Sequence, residues 1–360
     1  CVHCGFCLAT CPTYQIMGDE LDSPRGRIYL IKSALENNQF SAKSLKHLDR
    51  CLTCRSCETT CPSGVEYGQL LEIGRDFMET KRTKLQSLYR FMIRKVLLTP
   101  ILFKPVGYFF RHSKVTTKSL KPNNVRSKVL LLGGCVQPSL APNINHSIKN
   151  ILAKLDVEVI DGLQSDCCGA LDKHLAASKS AMKQVKRNID KWSLQLNSGI
   201  EVIISSASGC GVMVKDYPSL FKKSDPYYDK AIIVSSKTQD ISEYLANKDL
   251  SEFRLSETNI SYHEPCTLQH GQKLSGLVES ILSQFGYIKK PIKDSHICCG
   301  SAGTYSIFES EISNQLLVNK LENLNASSPE MIVTSNIGCL MHLQKGSSIP
   351  VKHWVELLDV

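Results

Sequence analysis

Two identical cysteine strings near the start of the chain constrain its fold more than any other feature. Each string has the spacing C-x2-C-x2-C-x3-C-P, and 39 residues separate the last cysteine of the first from the first cysteine of the second. The first consists of Cys1, Cys4, Cys7, Cys11 and Pro12, and the second of Cys51, Cys54, Cys57, Cys61 and Pro62. Because thiolates at such short intervals converge on one point and bind soft metals, the strings predict a pair of related metal-binding loops.

The spacing is that of the run that holds [4Fe–4S] clusters in two-cluster bacterial ferredoxins, where the fourth cysteine ligates the other cluster. We therefore predict two [4Fe–4S] clusters as cofactors. One is assigned to Cys1, Cys4, Cys7 and Cys61, and the other to Cys51, Cys54, Cys57 and Cys11. Structural zinc usually takes two C-x2-C pairs and would leave cysteines over. A disulfide framework is typical of small secreted chains, whereas this one has 360 residues.

The remaining eight cysteines form an internal repeat. The first set is Cys135, Cys167, Cys168 and Cys210, and the second is Cys266, Cys298, Cys299 and Cys339. In both sets 31 residues separate the single cysteine from a Cys-Cys-Gly, and the last gap is 41 residues in one set and 39 in the other. Such regularity indicates a duplication.

Each half of this duplication has the pattern of an α/β domain. Apolar, β-branched runs lead into the first and last cysteine of each set, as buried parallel strands do: Lys128–Gly134, Val202–Ser205, Ile260–His263 and Met331–Thr334. Helical periodicity over Ser147–Leu155 and Ile312–Leu324 lies between these runs. The cysteines are therefore expected beyond the carboxyl ends of strands, where open α/β sheets bind ligands.

Two interpretations of these eight thiols remain open. They form a further iron–sulfur cluster or thiol redox site, or the Cys-Cys pairs are buried small hydrophobic residues. His263, three residues before Cys266, and His342, three after Cys339, are candidates to complete a mixed site. A single histidine near a strand end is more often a hydrogen-bonded residue of the core or the surface.

The segment around the ferredoxin strings is predicted to be helical. The 39 residues between Cys11 and Cys51 are too many for a compact βαβ ferredoxin half, and Ser23-Pro24 has the pattern of a helix start. We expect Ile28, Ile31 and Leu35 to line one helical face, and Leu70, Ile73 and Phe77 to line another. The fold class is therefore multidomain α+β: an N-terminal α-helical ferredoxin followed by two duplicated α/β Cys-Cys-Gly domains.

A basic segment follows the ferredoxin part. Residues 81–128 contain thirteen Lys or Arg and no Asp or Glu, against a net charge of +9 for the whole chain, so the rest has a net charge of −4. Basic and large apolar residues alternate over 85–110, as in interfacial helices. Contact with a membrane surface and packing against a partner subunit are both open, with Arg90, Arg94 and Lys95 as contact candidates. No nucleic-acid-binding module accompanies the charge.

These patterns divide the chain into an α-helical ferredoxin domain (1–80), a basic amphipathic linker (81–127) and two Cys-Cys-Gly domains (128–250 and 251–360). No apolar run approaches the roughly 18 residues of a membrane-spanning helix. Sixteen cysteines indicate a reducing compartment. Because the chain opens on Cys1, a predicted ligand, rather than on Met, we expect residues upstream in the natural protein. No dinucleotide or phosphate-binding fingerprint is present, so we predict no catalytic residue for substrate oxidation.

Several stretches resemble the iron–sulfur subunit family of bacterial glycolate oxidase: residues 1–32, 47–64, 266–276, 295–305 and 330–343. The phrases GDELDSPRGR and CTLQH are the most specific. The wider Cys-Cys-Gly family includes heterodisulfide reductase subunits and the iron–sulfur subunit of anaerobic glycerol-3-phosphate dehydrogenase. In those relatives the repeat often ends in C-x-x-C, whereas Met213 and His342 stand here at the place of the second thiol.

The resemblance implies an oxidoreductase subunit that is inactive alone. It would relay electrons from flavin-containing partner subunits, which carry FAD and oxidise glycolate or D-lactate, towards a membrane quinone or another acceptor. The expected location is the cytoplasm or the cytoplasmic face of the inner membrane. The alternatives are a subunit like that of heterodisulfide reductase or of glycerol-3-phosphate dehydrogenase, and a zinc-binding interaction protein. The missing second thiols count against heterodisulfide reductase chemistry.

Overall fold

The computed structural model describes residues 1–38, 40–115, 118–161, 167–253 and 255–359. Within these ranges, the part before residue 127 contains helices and no strand, which confirms the predicted α-helical ferredoxin. Its α-helices are α1 (Pro12–Met17), α2 (Pro24–Asn37), α3 (Ala42–Asp49), α4 (Ser56–Thr59), α5 (Tyr67–Met78), α6 (Lys84–Leu98) and α7 (Pro100–Phe109). Short 3₁₀ turns stand at Phe6–Leu8, Glu20–Asp22 and Glu79–Lys81.

Helix α2 begins where the sequence predicts. Ser23 is extended, and its hydroxyl accepts a hydrogen bond from the Gly26 N–H at 3.0 Å, while Pro24 occupies the first helical position. This satisfies one of the amide groups that a helix N-terminus leaves unpaired. Helix α2 then packs on α5, with Ile31 against Gly74.

The apolar faces of α2 and α5 differ from those predicted. Leu35, Ile73 and Phe77 are exposed, while the buried core between the helices contains Ala34, Tyr67, Leu71 and Met78. Both helices have apolar residues on more than one face, so periodicity alone does not select the buried one. Gly74 selects it, because a helix without a side chain at that position allows Ile31 to approach closely.

The basic segment forms two helices, α6 and α7, and part of its charge is used within the molecule. Arg90 pairs with Asp49 at 3.5 Å, and Arg94 pairs with Asp172 at 3.0 Å. The expectation that these two arginines contact an external partner is therefore wrong. Helix α7 buries Phe103 and Gly107 and exposes most of its other apolar residues.

Each of the two cysteine repeats contains one four-stranded parallel sheet. The first repeat consists of β1 (Ser127–Leu132), α8 (Gln137–Leu140), α9 (Pro142–Lys154), β2 (Val157–Asp161), α10 (Ala170–His174), α11 (Ser178–Asn197), β3 (Val202–Ser205), α12 (Ser208–Lys215), α13 (Tyr228–Ser236), β4 (Thr238–Asp240) and α14 (Ile241–Leu245). The second consists of β5 (Asn259–His263), a π-helix (Thr267–Gly271), α15 (Leu277–Gln284), β6 (Ile288–Lys289), α16 (Tyr305–Phe308), α17 (Ser310–Asn325), β7 (Met331–Thr334), α18 (Ile337–Gly346) and β8 (Val351–His353).

The two sheets have the same topology. Their strand orders are β2-β1-β3-β4 and β6-β5-β7-β8, and all pairs are parallel. In both sheets the strand before the first cysteine therefore pairs with the strand before the last cysteine. This equivalence confirms the duplicated α/β architecture.

One apolar cluster joins the two repeats. It contains Val129 and Ile204 of the first sheet together with Ile332, Val333 and Trp354 of the second repeat, all fully or almost fully buried. This cluster therefore spans both repeats, and the first repeat also has a second apolar cluster of its own.

Candidate metal centres

The first ferredoxin set lines a cavity at the surface. Cys1, Cys4, Cys7 and Cys61 stand around it, and Arg25 closes one side. Cys1 and Cys4 are exposed and the other two are partly buried. The Arg25 guanidinium donates to the His3 carbonyl at 3.3 Å and pairs with Glu20 at 2.6 Å, so the loop is tied to the start of α2.

The second ferredoxin set lines a separate, buried cavity. The cysteines around it are Cys51, Cys54 and Cys57 of one string and Cys11 of the other. Cys11 reaches this cavity because Pro12 begins α1, while Cys11 itself is extended. The structure thus brings together the two sets of four thiols that the sequence suggests, and both cavities have the donor chemistry of a thiolate-bound cluster.

Left-handed backbone shapes both cysteine loops in the same way. The residues before and after the middle cysteine have positive φ: His3 and Gly5 in the first string (55° and 88°), and Thr53 and Arg55 in the second (56° and 60°). Such angles are uncommon outside glycine and unfavourable for a β-branched residue such as Thr53. These angles curl the chain so that three thiols converge. Of the four residues, only Gly5 is of a type from which positive φ can be predicted.

Two buried thiols of the second set, Cys54 and Cys57, are poorer acids than a free thiol. Burial, more than any other cause, raises the pKa of Cys54 and that of Cys57, and neighbouring thiols raise both further. The Tyr67 hydroxyl donates to the Cys51 sulfur at 3.5 Å, and the Thr53 N–H lies 3.4 Å from it. Positive charge bound in the cavity would favour the thiolate forms of Cys54 and Cys57, against the effect of burial.

A buried ionic network holds the second set in place, and the cysteine spacing does not predict it. Asp22 has no exposed surface and contacts Arg50 at 2.7 Å, His47 at 2.9 Å and Arg27 at 3.4 Å. Arg27 also donates to the His47 carbonyl at 2.7 Å. Arg75 donates to the Cys51 carbonyl at 2.8 Å. The GDELDSPRGR phrase contains Asp22 and Arg27, so residues of this phrase form the ionic network.

The thiols of the first repeat also converge. Cys135 follows β1, Cys168 precedes α10, and Cys210 lies in the first turn of α12. Hydrogen bonds from Cys135 and Cys168 hold the pKa of the Cys167 thiol well below its usual range, whereas the pKa values of Cys135 and Cys168 are raised. The donor side chains Asn188 and Tyr217 fix the Cys-Cys pair through the carbonyls of Cys167 and Cys168, each at 2.8 Å.

The thiols of the second repeat form a similar chain of contacts. The sulfurs of Cys266 and Cys298 are 3.9 Å apart, Cys299 contacts Cys298, and Cys339 contacts Cys299. His263, at the end of β5, is 2% exposed and lies beside Cys299 and Cys339. His342 instead faces Ser313, with its Nε2 3.2 Å from the hydroxyl oxygen.

The ferredoxin part touches the two repeats differently. It contacts the first through ion pairs, among them Arg55 with Asp216 and Lys173 with Asp76. It contacts the second through an apolar cluster that contains Leu52, Cys54, Cys298, Tyr305, Ile312 and Leu316. The buried cysteine set is therefore adjacent to the thiols of the second repeat.

No helix within the described residues is both long enough and apolar enough to span a bilayer. The family comparisons agree with the cysteine geometry. Residues 1–65 match the 4Fe-4S dicluster domain, so the cofactors of this part are iron–sulfur clusters. Residues 129–215 and 260–344 each match the cysteine-rich domain that contains the Cys-Cys-Gly motif.

Curated relatives extend the similarity over the whole chain. The glycolate oxidase iron-sulfur subunit of Escherichia coli (strain K12) is 44% identical over 377 aligned residues, which cover 100% of this chain and 93% of the relative. The probable glycolate oxidase iron-sulfur subunit of Bacillus subtilis (strain 168) is 28% identical and covers 96% of this chain. Lactate utilization protein A of Bacillus licheniformis is 26% identical over 64% of this chain and 99% of its own length. This chain therefore belongs to the family of glycolate oxidase iron–sulfur subunits, which are components of oxidoreductases.

Proposed function

We propose that this chain is the electron-transfer subunit of a complex that oxidises glycolate to glyoxylate. The full-length similarity to a glycolate oxidase iron-sulfur subunit supports the substrate. The convergence of eight ferredoxin cysteines into two sets of four carries the electron-transfer role. Similarity to lactate utilization protein A supports D-lactate as a second 2-hydroxy acid substrate.

The two sets of thiols have distinct roles in this proposal. Cys1, Cys4, Cys7 and Cys61 hold one cluster, and Cys11, Cys51, Cys54 and Cys57 hold the other. When bound, such clusters supply one-electron transfer. The first set is partly exposed and so faces a redox partner, whereas the second is enclosed.

The residues around the thiols set the properties of each site. Hydrogen bonds to sulfur and exclusion of solvent both tune the potential of an iron–sulfur site. The Tyr67 hydroxyl and the Thr53 N–H direct hydrogen toward the Cys51 sulfur, and the Arg27 guanidinium is buried beside that set. The exposed set has Arg25 beside it instead. We infer that the two sites differ in potential for this reason.

Substrate oxidation is assigned to flavin-containing partner subunits. Removal of hydride from a 2-hydroxy acid requires a two-electron acceptor, which flavin or nicotinamide cofactors supply. The two cavities described above are lined by cysteines, which suit iron–sulfur clusters rather than a flavin. The chain therefore passes electrons onward to a quinone or another acceptor.

Reconstitution tests this assignment. The cluster-loaded chain alone should accept electrons from dithionite but show no glycolate-dependent dye reduction. Adding the flavin-containing subunits should restore that activity, and D-lactate should also be turned over. A Cys54→Ser variant should leave the reconstituted complex inactive. Turnover of glycolate by the flavin-free chain, or full activity of the complex with Cys54→Ser, would contradict the proposal.

We also propose that the outer surface of α7 and the residues after it contact an anionic bilayer. Ile101, Tyr108, Phe109 and Phe110 are between 64% and 85% exposed, and basic residues accompany them at 104, 111, 114, 118 and 121. Large apolar side chains beside lysine and arginine are typical of helices that lie in a membrane interface. This surface would place the chain on the cytoplasmic face of the membrane, close to a quinone.

Vesicle binding tests the surface. The chain should sediment with phosphatidylserine vesicles and release as salt rises. Because each basic residue near an anionic surface contributes about 1 kcal/mol, Lys104→Gln with Arg111→Gln should weaken binding about thirtyfold. Lys222→Gln with Lys223→Gln removes the same charge from another exposed site and should have little effect. Absence of binding to anionic vesicles would contradict contact with a bilayer, and equal binding to neutral and anionic vesicles would contradict the role of the basic residues.

A further inference from the structure

We infer that His270 positions the ferredoxin turn that carries one ligand of each cluster site. This turn runs from Cys57, assigned to the buried set, to Cys61, assigned to the exposed set, and His270 contacts it from the second repeat. The inference deepens the proposed electron-transfer role and rests on that ligand assignment. It gives a structural role to the CTLQH phrase, which neither the strand pattern nor the cysteine spacing explains.

The CTLQH phrase folds into an uncommon element. Residues Thr267–Gly271 form a single turn of π-helix directly after Cys266, closed by a hydrogen bond from the Gln272 N–H to the Thr267 carbonyl at 2.9 Å. Isolated π turns are rare in proteins and frequently stand at functional sites. In the first repeat the corresponding residues, Gln137–Leu140, form an ordinary α-helical turn. The second repeat therefore departs from the duplicated fold at this phrase.

The π-helix lies where the ferredoxin part and both repeats meet. Toward the first repeat, Thr267 bonds to Ser208 at 2.6 Å, and Gln272 donates to the Ser208 carbonyl at 3.1 Å. A Cβ at Gly271 would lie only 2.5 Å from the Val212 side chain, so the two repeats approach closely here. Toward the ferredoxin part, the π-helix packs on α4. The first repeat therefore holds the π-helix in place against the cysteine loop.

The side chain of His270 makes the contact with the ferredoxin turn. It is 8% exposed, and its Nδ1 lies 2.9 Å from the Thr59 hydroxyl oxygen. The Thr59 hydroxyl donates its own proton to the Ser56 carbonyl at 3.0 Å, so the Nδ1–H of His270 is the donor to Thr59. Burial lowers the pKa of His270 despite a backbone contact with His296, so the ring is neutral near pH 7. The bond to Thr59 then fixes the tautomer and the orientation of the ring.

Thr59 stands midway between ligands of the two sites. Cys57 precedes it by two residues and lines the buried cavity, and Cys61 follows it by two residues and lines the exposed one. The Cys61 N–H donates to the Glu58 carbonyl at 3.2 Å, so the turn continues from α4 into the second ligand. A displacement of Thr59 therefore moves both sulfurs. Removal of a residue that orients metal ligands typically lowers metal affinity roughly 10–100-fold.

The first repeat uses the equivalent position for another contact. Ser139 stands four residues after Cys135, as His270 stands four residues after Cys266. A Cβ at Gly107 of α7 would lie 2.6 Å from the Ser139 Cβ, so this part of the first repeat packs on α7. The duplicated position therefore contacts the basic segment in one repeat and the ferredoxin turn in the other, and an imidazole is present at the ferredoxin contact.

Iron loss from the anaerobically purified, cluster-loaded chain tests the inference. In the presence of an iron chelator, His270→Leu and Thr59→Val should each lose iron about tenfold faster than the wild type. The electron paramagnetic resonance signals of both reduced clusters should decline together, because one turn carries a ligand of each. Thr60→Val is the matched control, since the Thr60 hydroxyl also donates to the Ser56 carbonyl at 3.0 Å while His270 bonds to Thr59. It should lose iron at the wild-type rate.

Two further variants separate positioning from folding. The amide nitrogen of asparagine is as many bonds from the backbone as Nδ1 of histidine, so His270→Asn should restore slow iron loss. His270→Leu combined with Thr59→Val should lose iron no faster than either alone, because both remove the same contact.

Four results would overturn the inference: wild-type iron retention in His270→Leu, additive effects in the double variant, no rescue by His270→Asn, or equal iron loss from Thr59→Val and Thr60→Val. Decline of one cluster signal without the other would overturn it as well, because the turn would then not act on both sites. The measurement contains no glycolate, so its outcome is independent of the proposed substrate.

Discussion

At the scale of single residues, the ferredoxin sites depend on conformations that the cysteine spacing does not express. His3, Thr53 and Arg55 adopt left-handed backbone although none is glycine, and Asp22 is buried among three basic side chains. The cysteines identify the ligand chemistry, and these neighbours decide where each sulfur points. Spacing therefore predicts the donors but not the residues that orient them.

Exchange of the fourth cysteine between the strings is tested by paired variants. Because Cys61 lines the cavity of Cys1, Cys4 and Cys7, the electron paramagnetic resonance spectrum of reduced Cys61→Ser should match that of Cys4→Ser. Cys11→Ser should match Cys54→Ser, since both thiols line the buried cavity. The reverse matching, with Cys61→Ser resembling Cys54→Ser, would show that each string holds its own cluster.

At the scale of elements, close backbone approach decides which helix faces are buried. A Cβ at Gly26 would lie 2.0 Å from the Glu20 carbonyl oxygen, and one at Gly74 would lie 2.5 Å from Ile31. The turn Glu20–Asp22 therefore crosses the start of α2 at a point where only glycine fits. Gly26 must therefore stand at this distance after Asp22 and Ser23, a requirement that helical periodicity does not predict.

Two glycine variants test this contact. Gly26→Ala should displace the Glu20–Asp22 turn, expose Asp22 and lower the iron content of the buried set to below half. Gly18→Ala is the matched control, because its Cβ would meet nothing within 4 Å despite a φ of 64°. Gly18→Ala should lower the free energy of unfolding only by the strain of one left-handed residue, about 1–2 kcal/mol. Equal iron content in the two variants would show that the crossing at Gly26 is not tight.

At the scale of the whole molecule, the two repeats pack as one unit. Ser208 bonds to Thr267 at 2.6 Å, Gln272 donates to the Ser208 carbonyl at 3.1 Å, and His353 donates from Nε2 to the Ser206 carbonyl at 3.1 Å. A shared apolar cluster lies behind these bonds. We expect the repeats to unfold together for this reason.

Protonation of His353 should weaken this packing. Burial lowers the pKa of His353 from 6.5 to about 4, so the folded chain keeps it neutral while the unfolded chain is protonated below about 6.5. Stability from this residue is therefore present above pH 6.5 and falls with pH down to about 4. Between pH 7.5 and 5.5 the loss is about 1.4 kcal/mol.

Comparison with His353→Gln isolates that loss from other titrating groups. The measurement is the difference in thermal unfolding midpoint between wild type and variant at pH 7.5 and 5.5. The wild type should unfold at a higher temperature than the variant at pH 7.5, and this difference in midpoint should become smaller at pH 5.5. Glu356, whose pKa burial raises to about 7, acts in the opposite direction in both proteins and cancels in the difference. A difference in midpoint that does not change with pH would contradict a neutral, buried His353.

Local patterns explain what was predictable. The predicted strands Val202–Ser205 and Met331–Thr334 coincide with β3 and β7. Short β-branched runs bounded by polar residues strongly favour buried strands. The start of β1 was also predicted within one residue, whereas Gly133 and Gly134 leave the strand, the latter with a φ of 77°. The predicted faces of α2 and α5 were wrong in part because helical period does not distinguish two apolar sides.

The sequence by itself predicted the candidate cysteine donors and determined the duplication and the fold class, since cysteine intervals and strand patterns are local and repeat twice. Only the tertiary structure decided which charges of the basic segment are used internally, which helix faces are buried, and which histidine lies beside the thiols of the second repeat. These depend on contacts between residues far apart in the chain: Arg94 with Asp172, Ile31 with Gly74, and His263 with Cys339. Such contacts follow from the packing of whole helices and strands, and the spacing of residues along the sequence does not predict that packing.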